Sequence, residues 1–333
     1  MVTFLAVWVP IGYLFTGLLA WAFLANFSCA QDVKPPNCHR ADNMGWRYLH
    51  FTCGGVVFCM SLIRIFLIKM VQTPRWLISQ NRDAEVIDHL SNLARKYNRP
   101  FNLSLDNLQA EGRVRHTEKS KWSTVRIRKH LSGLFETKLL AYSTTLLILN
   151  WFIVGLVTPL YQVFLPYYLA SRGHAHVNEQ TSTNETWRNY AINQAVGVVG
   201  PILAAYLVEV PYIGRKGTMA IGALSTMALQ FGYTQITTQA QNVGVSSAIG
   251  AGNNIYYAVI YAYTPEIMPS AHRGTGYGIC AIMNRIGGVI GVVVGSYANP
   301  ETTAPLFVCA ACFGVLAILS LMLPFESRGK RGV

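Results

Sequence analysis

Residues 139–169 read LLAYSTTLLILNWFIVGLVTPLYQVFLPYYL, 31 positions without a charged side chain. A helix crosses the hydrocarbon layer of a bilayer in about 20 predominantly apolar residues. Backbone groups in lipid must find partners within their own segment, so a run of this length reads as a helix rather than a strand. Working outward, the pattern recurs at 2–25, 48–70, 190–208, 218–236, 243–264, 274–297 and 304–325. Arg64 and Lys69 stand near the end of the second run, and Arg285 interrupts the seventh. The first run has no Lys or Arg before Lys34. It therefore lacks the basic leader of a signal peptide and counts as a span. Eight membrane helices are expected, and the fold class is an all-α polytopic membrane protein.

The composition points the same way. Of 333 residues, 52% are apolar and 13% charged, against about a quarter charged in ordinary globular chains. The 27 Lys and Arg outnumber the 15 Asp and Glu, for a net charge of +12. Their placement argues against a nucleic-acid partner, because they lie between the apolar runs as loops alternate with spans. Segments 71–138, 209–217, 265–273 and 326–333, with Lys69, hold 20 of the 27 bases, and the opposite set holds 5. The positive-inside rule therefore assigns the first set, and both termini, to the cytoplasm.

Two N-glycosylation sequons, Asn26-Phe-Ser28 and Asn184-Glu-Thr186, fall in outside loops, which makes Asn26 and Asn184 the expected acceptors. Asn102-Leu-Ser104 falls inside and is expected to stay unmodified. Cys29 and Cys38 share an outside loop, where a disulfide is chemically possible. Cys309-x-x-Cys312 lies in an apolar span without His or acidic neighbours, so its thiols read as small packing groups.

Segment 71–138 separates two spans from six. Within it, Val86, Ile87, Leu90, Leu93, Ala94 and Tyr97 recur at helical spacing, predicting an amphipathic helix over 83–97. A basic run from Arg113 to Lys129 follows, as in a cytosolic loop near anionic headgroups.

Five short stretches carry a family resemblance. Gln72-Thr-Pro-Arg-Trp-Leu77 resembles the sequence after helix six of sugar-porter-like major facilitator transporters. Gly214-Arg-Lys-Gly217 is similar to the end of that superfamily's signature between helices eight and nine. Tyr263-Thr-Pro-Glu-Ile-Met-Pro269 with His272-Arg-Gly-Thr-Gly276 resembles the link between helices ten and eleven. Pro324-Phe-Glu-Ser-Arg-Gly-Lys330 resembles the stretch after helix twelve, and Asn43-Met-Gly-Trp-Arg-Tyr48 the entry to helix six in the synaptic-vesicle-glycoprotein-like branch.

The resemblance implies a partial major facilitator fold in which the eight spans correspond to helices five to twelve. Residues 1–70 would be the last two helices of the N-terminal half, 71–138 a cytoplasmic loop, 139–325 a complete six-helix C-terminal half and 326–333 a cytoplasmic tail. Helices one to four have no counterpart, as in an incomplete gene model, a splice form or a degenerate copy.

Transporters of this kind bind solute near the midplane, between halves that rock against each other. Polar side chains are costly in lipid and turn toward the bundle interior or water. Asn150, Tyr161 and Gln162, with Thr158, are the candidates in the third span. Asn193 and Gln194 precede Pro201 in the fourth, where the missing N–H frees a carbonyl. Asn254 and Tyr257, with Asn253 and Tyr261, lie in the sixth, and Asn284 in the seventh. Amides and phenols of this kind suit sugars and similar organic solutes, and they also bond across packed helices.

Glu209, Arg215, Glu266, Arg273, Glu326 and Arg328 gather at cytoplasmic helix ends, where the resemblance implies a charge latch over the inner gate. Arg285 is grouped with this network, with an anionic solute as its other reading. Gln72 stands where the family commonly has Glu.

The expected function is alternating-access transport of a small, sugar-like organic solute by a multi-pass protein of the plasma membrane. The alternative is a transport-incompetent truncated relative acting as a membrane-embedded sensor or partner subunit. The chain carries no nucleotide-binding or metal-ligand motif, so no cofactor is expected. It also has no convergent acid–base or nucleophile set, so an enzyme is not expected. The partners are the bilayer, the solute and, as an open choice, a proton as coupling ion. Symport, antiport and facilitated diffusion all fit.

Overall fold

The computed structural model describes residues 2–29, 39, 41–67, 72, 74–79, 81–106, 132–162, 165, 183–269, 272–297 and 304–325. Every regular element among them is helical: α1 (Thr3–Leu24), α2 (Gly45–Phe66), α3 (Pro74–Ser79), α4 (Asp83–Lys96), α5 (Lys138–Gln162), α6 (Thr183–Glu209), α7 (Gly214–Gly232), α8 (Gln239–Ile267), α9 (Arg273–Tyr297) and α10 (Ala304–Met322). Eight of these correspond in order to the eight expected spans.

Six of the eight (α1, α2, α5, α6, α9 and α10) are long and apolar enough by themselves to cross a membrane. The other two, α7 and α8, are long but rich in Gly, Ser, Thr, Asn and Gln. Their polar side chains turn inward: Thr218, Thr226, Gln230, Ser246, Ser247 and Asn253 are all buried. Some boundaries shift from expectation. Helix α6 begins at Thr183 rather than 190, so Asn184 lies in its first turn instead of a loop.

The chain divides into two compact units, 1–53 with 128–333 and 54–127. In the smaller unit, α4 has Asp83 and Glu85 in its first turn and Arg95 and Lys96 in its last, the order that complements a helix dipole. Arg82 pairs with Glu85 at 2.6 Å and also donates to Gln72 Oε1 at 3.3 Å. Leu77 of α3 and Val86 of α4 are fully buried as these two helices pack.

In the larger unit α5 packs on α9 and α10, α7 on α8 and α10, and α6 on α8 and α1. Association of helices in lipid relies on close van der Waals packing, because the tails are as apolar as Leu. The contact between α5 and α9 shows how close this is. A Cβ on Gly155 would overlap the Asn284 backbone, and one on Gly287 or Gly291 would overlap the carbonyl of Phe152 or Leu156. Local signals fix the ends. Gly214 opens α7 at φ 59°, a conformation that suits glycine. Thr238 and Gln241 form a reciprocal capping box at the start of α8. Tyr233 donates to Asn242 Oδ1 at 2.6 Å across the turn between α7 and α8.

Cys29 is disulfide-bonded, whereas Cys53, Cys59, Cys280, Cys309 and Cys312 are free. Cys38, the basic run 113–129, Glu326 and Arg328 lie outside the described residues.

Candidate functional site

Three helices of the larger unit meet around one space, and each brings a proline to it. Pro10 of α1, Pro159 of α5 and Pro201 of α6 all line a cavity of ≈ 280 Å³. A proline in a helix interior removes one N–H and leaves a carbonyl four residues earlier without its helical partner. For Pro201 that carbonyl belongs to Gly197, where α6 breaks at Val198. Asn254 Nδ2 of α8 donates to it at 3.0 Å. The amide thus repairs the helix and holds α6 to α8 while its own side chain lines the cavity.

Helix α5 contributes Thr158 and Gln162, α6 Tyr190 and Gln194, α8 Asn253, Tyr257 and Tyr261, and α9 Asn284 and Arg285. Tyr257 donates to Thr158 Oγ1 at 3.0 Å, and its ring stacks on Tyr261 with centroids 5.9 Å apart. Behind Tyr261 stands Trp151, edge-on at 4.9 Å and fixed by its Nε1–H bond to Thr264 Oγ1 at 2.9 Å. Asn284 Nδ2 donates to the Trp151 carbonyl at 3.2 Å, which ties α9 to α5 beside the cavity. Tyr13 of α1 faces these phenols across the space. The wall is therefore made of amides, phenols, proline rings and one guanidinium. Among the described lining residues there is no Asp or Glu.

Of the residues expected here, Gln162, Gln194, Asn254, Tyr257 and Asn284 line the cavity. Asn150, Tyr161 and Asn193 do not. Asn150 is wholly buried in the core, its Nδ2 donating to Leu146 O at 2.8 Å and its Oδ1 accepting from Tyr256 at 2.6 Å. Tyr161 turns into a narrower recess beside Gln230 and Phe313, and Asn193 is buried toward Gly250. Helical spacing places residues on one face of a helix but does not say which neighbour that face meets.

Tyr13 and Tyr190 were missed. Tyr13 follows Pro10 by three residues, so the kink and the phenol share a face, a signal that could have been used. Tyr190 is the first residue of its expected span, 190–208, and carried no site reading there.

Arg285, grouped with the charge network in the sequence, sits mid-helix, 12 residues from either end of α9, and lines the cavity. At the ends of α7 and α8, Arg215 Nη2 and Glu266 Oε1 are 2.8 Å apart and mostly shielded from solvent. Glu209 is exposed and Arg273 half-buried. Of the two sequon residues, Asn26 is exposed beyond α1, its Nδ2 donating to Ala22 O at 2.8 Å. Asn184 accepts a hydrogen bond from Trp21 Nε1.

Comparison with known proteins adds an independent line. The profile of the Major Facilitator Superfamily matches residues 1–292 and 191–332. The chain is 39% identical over 343 residues to "MFS siderochrome iron transporter 1" of Ceriporiopsis subvermispora, covering 99% of this chain and 64% of that protein. It is 39% identical over 350 residues to "Major facilitator-type transporter hxnZ" of Emericella nidulans, covering 100% of this chain and 62% of that protein. The chain thus spans less than two thirds of these curated relatives' length. Among solved structures, the proton:xylose symporter XylE, bound to 6-bromo-6-deoxy-D-glucose, superposes with a TM-score of 0.63 at 17% identity, covering 99% of this chain and 65% of that one.

Proposed function

Because the chain belongs to the Major Facilitator Superfamily, a family of membrane transporters rather than enzymes, we propose that it carries a small, sugar-like organic solute across a membrane by alternating access. The observation that carries this reading is the cavity: ≈ 280 Å³, bounded by proline-bearing helices and lined by amides and phenols. That volume is just below the ~300–1,000 Å³ of ligand pockets and suits a small solute. Amides and hydroxyls match the alternating donors and acceptors of a polyol, and the stacked Tyr257 and Tyr261 offer a flat face to a sugar ring. Helices broken at the midplane are where transporters of alternating-access design hold their substrates.

The rest of the reading belongs with it. The plasma membrane is the proposed location, with both termini cytoplasmic and with Asn26 and Asn184 carrying glycans on the outer face. Asn184 uses Oδ1 for Trp21, which leaves its amide nitrogen for a glycan. The Arg215–Glu266 pair serves as a cytoplasmic latch. A proton as coupling ion needs a titrating group outside the cavity lining, which has no carboxylate among the described residues.

One observation favours a second reading, that the solute is an organic anion. Arg285 is the one charged side chain among the described lining residues. A guanidinium within a membrane span costs several kcal/mol unless an anion, carbonyls or water meet it.

Uptake into liposomes by the purified protein tests both. Asn254→Ala and Gln162→Ala are expected to raise KM for the transported solute; unchanged kinetics in both would remove the cavity as the binding site. If the solute is anionic, Arg285→Gln raises KM for a hexuronate by about tenfold or more, the ratio set by losing one charge-assisted hydrogen bond, and leaves a neutral hexose unaffected. If the solute is neutral, the variant discriminates between neither.

A further inference from the structure

Next to the cavity lies a narrow recess between α5, α7 and α8, closed on one side by Phe313 of α10. Thr158, Gln162 and Asn253 line both spaces and form the partition between them. As it stands the recess is too narrow to admit a water molecule.

Gln230 projects into it from α7. Its side chain is 1% exposed, and neither Nε2 nor Oε1 has a hydrogen-bond partner among the described residues. Because both amide atoms are unpaired, exchanging the assignment of N and O changes nothing. Asn253, 5% exposed, has its Oδ1 in the same condition. Thr226, one turn before Gln230, is already satisfied by the Gly222 carbonyl at 2.7 Å.

A buried amide that pairs with nothing is a standing cost, because water would have satisfied it in the unfolded chain. Leu or Met at 230 would fill the same space against Val157, Ile249 and Phe313 without that cost. The amide therefore gains only when another group brings the missing hydrogen bonds.

Resting on the transport reading above, we infer that Gln230 and Asn253 form a subsite that receives one hydroxyl of the solute. A hydroxyl both accepts and donates, so it takes the Gln230 Nε2–H bond and gives its own proton to Asn253 Oδ1. The entry is a rotamer change of Asn253 or Gln162, the two amides of the partition. A carboxylate does not fit this pair, because it cannot donate to Asn253 Oδ1 and there is no cationic side chain among the described residues that line the recess. The solute thus lies with a hydroxyl toward α7, and any anionic end pairs with Arg285 of α9 in the cavity.

Calorimetric binding of hexoses, hexuronates and their single-deoxy analogues to the purified full chain tests this, with liposome uptake measured in parallel. Wild type is expected to bind one deoxy analogue about tenfold more weakly than its parent, since a site built to bond a hydroxyl rejects the analogue lacking it. Gln230→Met and Gln230→Leu are expected to bind the parent about tenfold more weakly, to lose that discrimination and to unfold at or above the wild-type temperature. Wild-type affinity in both variants would overturn the inference. So would a lowered unfolding temperature in both, which marks the amide as a packing element, or a wild type that distinguishes no parent from its deoxy analogue. Binding with discrimination but without uptake would count against transport alone, and uptake unaffected by either substitution against the subsite alone.

Discussion

Asn150 and Asn254 are the same side chain put to different uses. Asn254 completes the backbone of α6 at the edge of the cavity, where its amide nitrogen replaces the N–H that Pro201 lacks. Asn150 sits in the core and is bonded on both sides, to Leu146 of its own helix and to Tyr256 of α8. Ser320 of α10 adds a longer contact to the same Tyr256 hydroxyl at 3.4 Å. Removing Asn150 would leave the buried phenol without its acceptor. Asn150→Ala is therefore expected to lower stability by about 1–3 kcal/mol while solute KM stays at the wild-type value. Thermal unfolding and uptake on the same preparation check it. At this scale the sequence was only partly legible. Residue types and helix faces could be read, and five of the eight expected cavity amides and phenols do line the space. Tyr256, the partner that draws Asn150 into the core, stands 106 positions away and left no mark on the local pattern.

At the level of helices more was readable, because span length and charge-free runs depend on chain-local quantities. All eight long helices follow the apolar runs in order. The exceptions are informative. The polar residues of α7 and α8 lower their apolar character and are buried against each other, so a helix can be central to the bundle and still read as a weaker span. The break in α6 was visible as Pro201, but not what fills it. Pro201→Ala restores an N–H to the Gly197 carbonyl, which would then compete with Asn254 Nδ2. The variant is expected to be at least as stable as wild type, since a helix-interior proline costs ~3 kcal/mol in an unbroken helix, and to transport more slowly as α6 straightens beside Gln194. Unfolding temperature together with uptake rate separates this outcome from simple misfolding, which would lower both.

Over the whole molecule, the basic excess and the spans mark a polytopic helical membrane protein of the major facilitator family, and its larger unit holds a cavity lined by amides and phenols. The +12 charge has its explanation in topology, with 20 of the 27 bases in segments assigned to one side of the bilayer. The chain covers 62–64% of two relatives' length, and the transport reading competes with one in which the cavity binds solute but does not release it on the other side. Counterflow distinguishes them most directly. Liposomes containing the purified 333-residue protein are loaded with unlabelled solute, and entry of labelled solute is followed. Alternating access predicts a transient accumulation of label above its external concentration, abolished in Asn254→Ala. Saturable binding of the solute with no counterflow would contradict the account and leave the sensor or partner reading in its place.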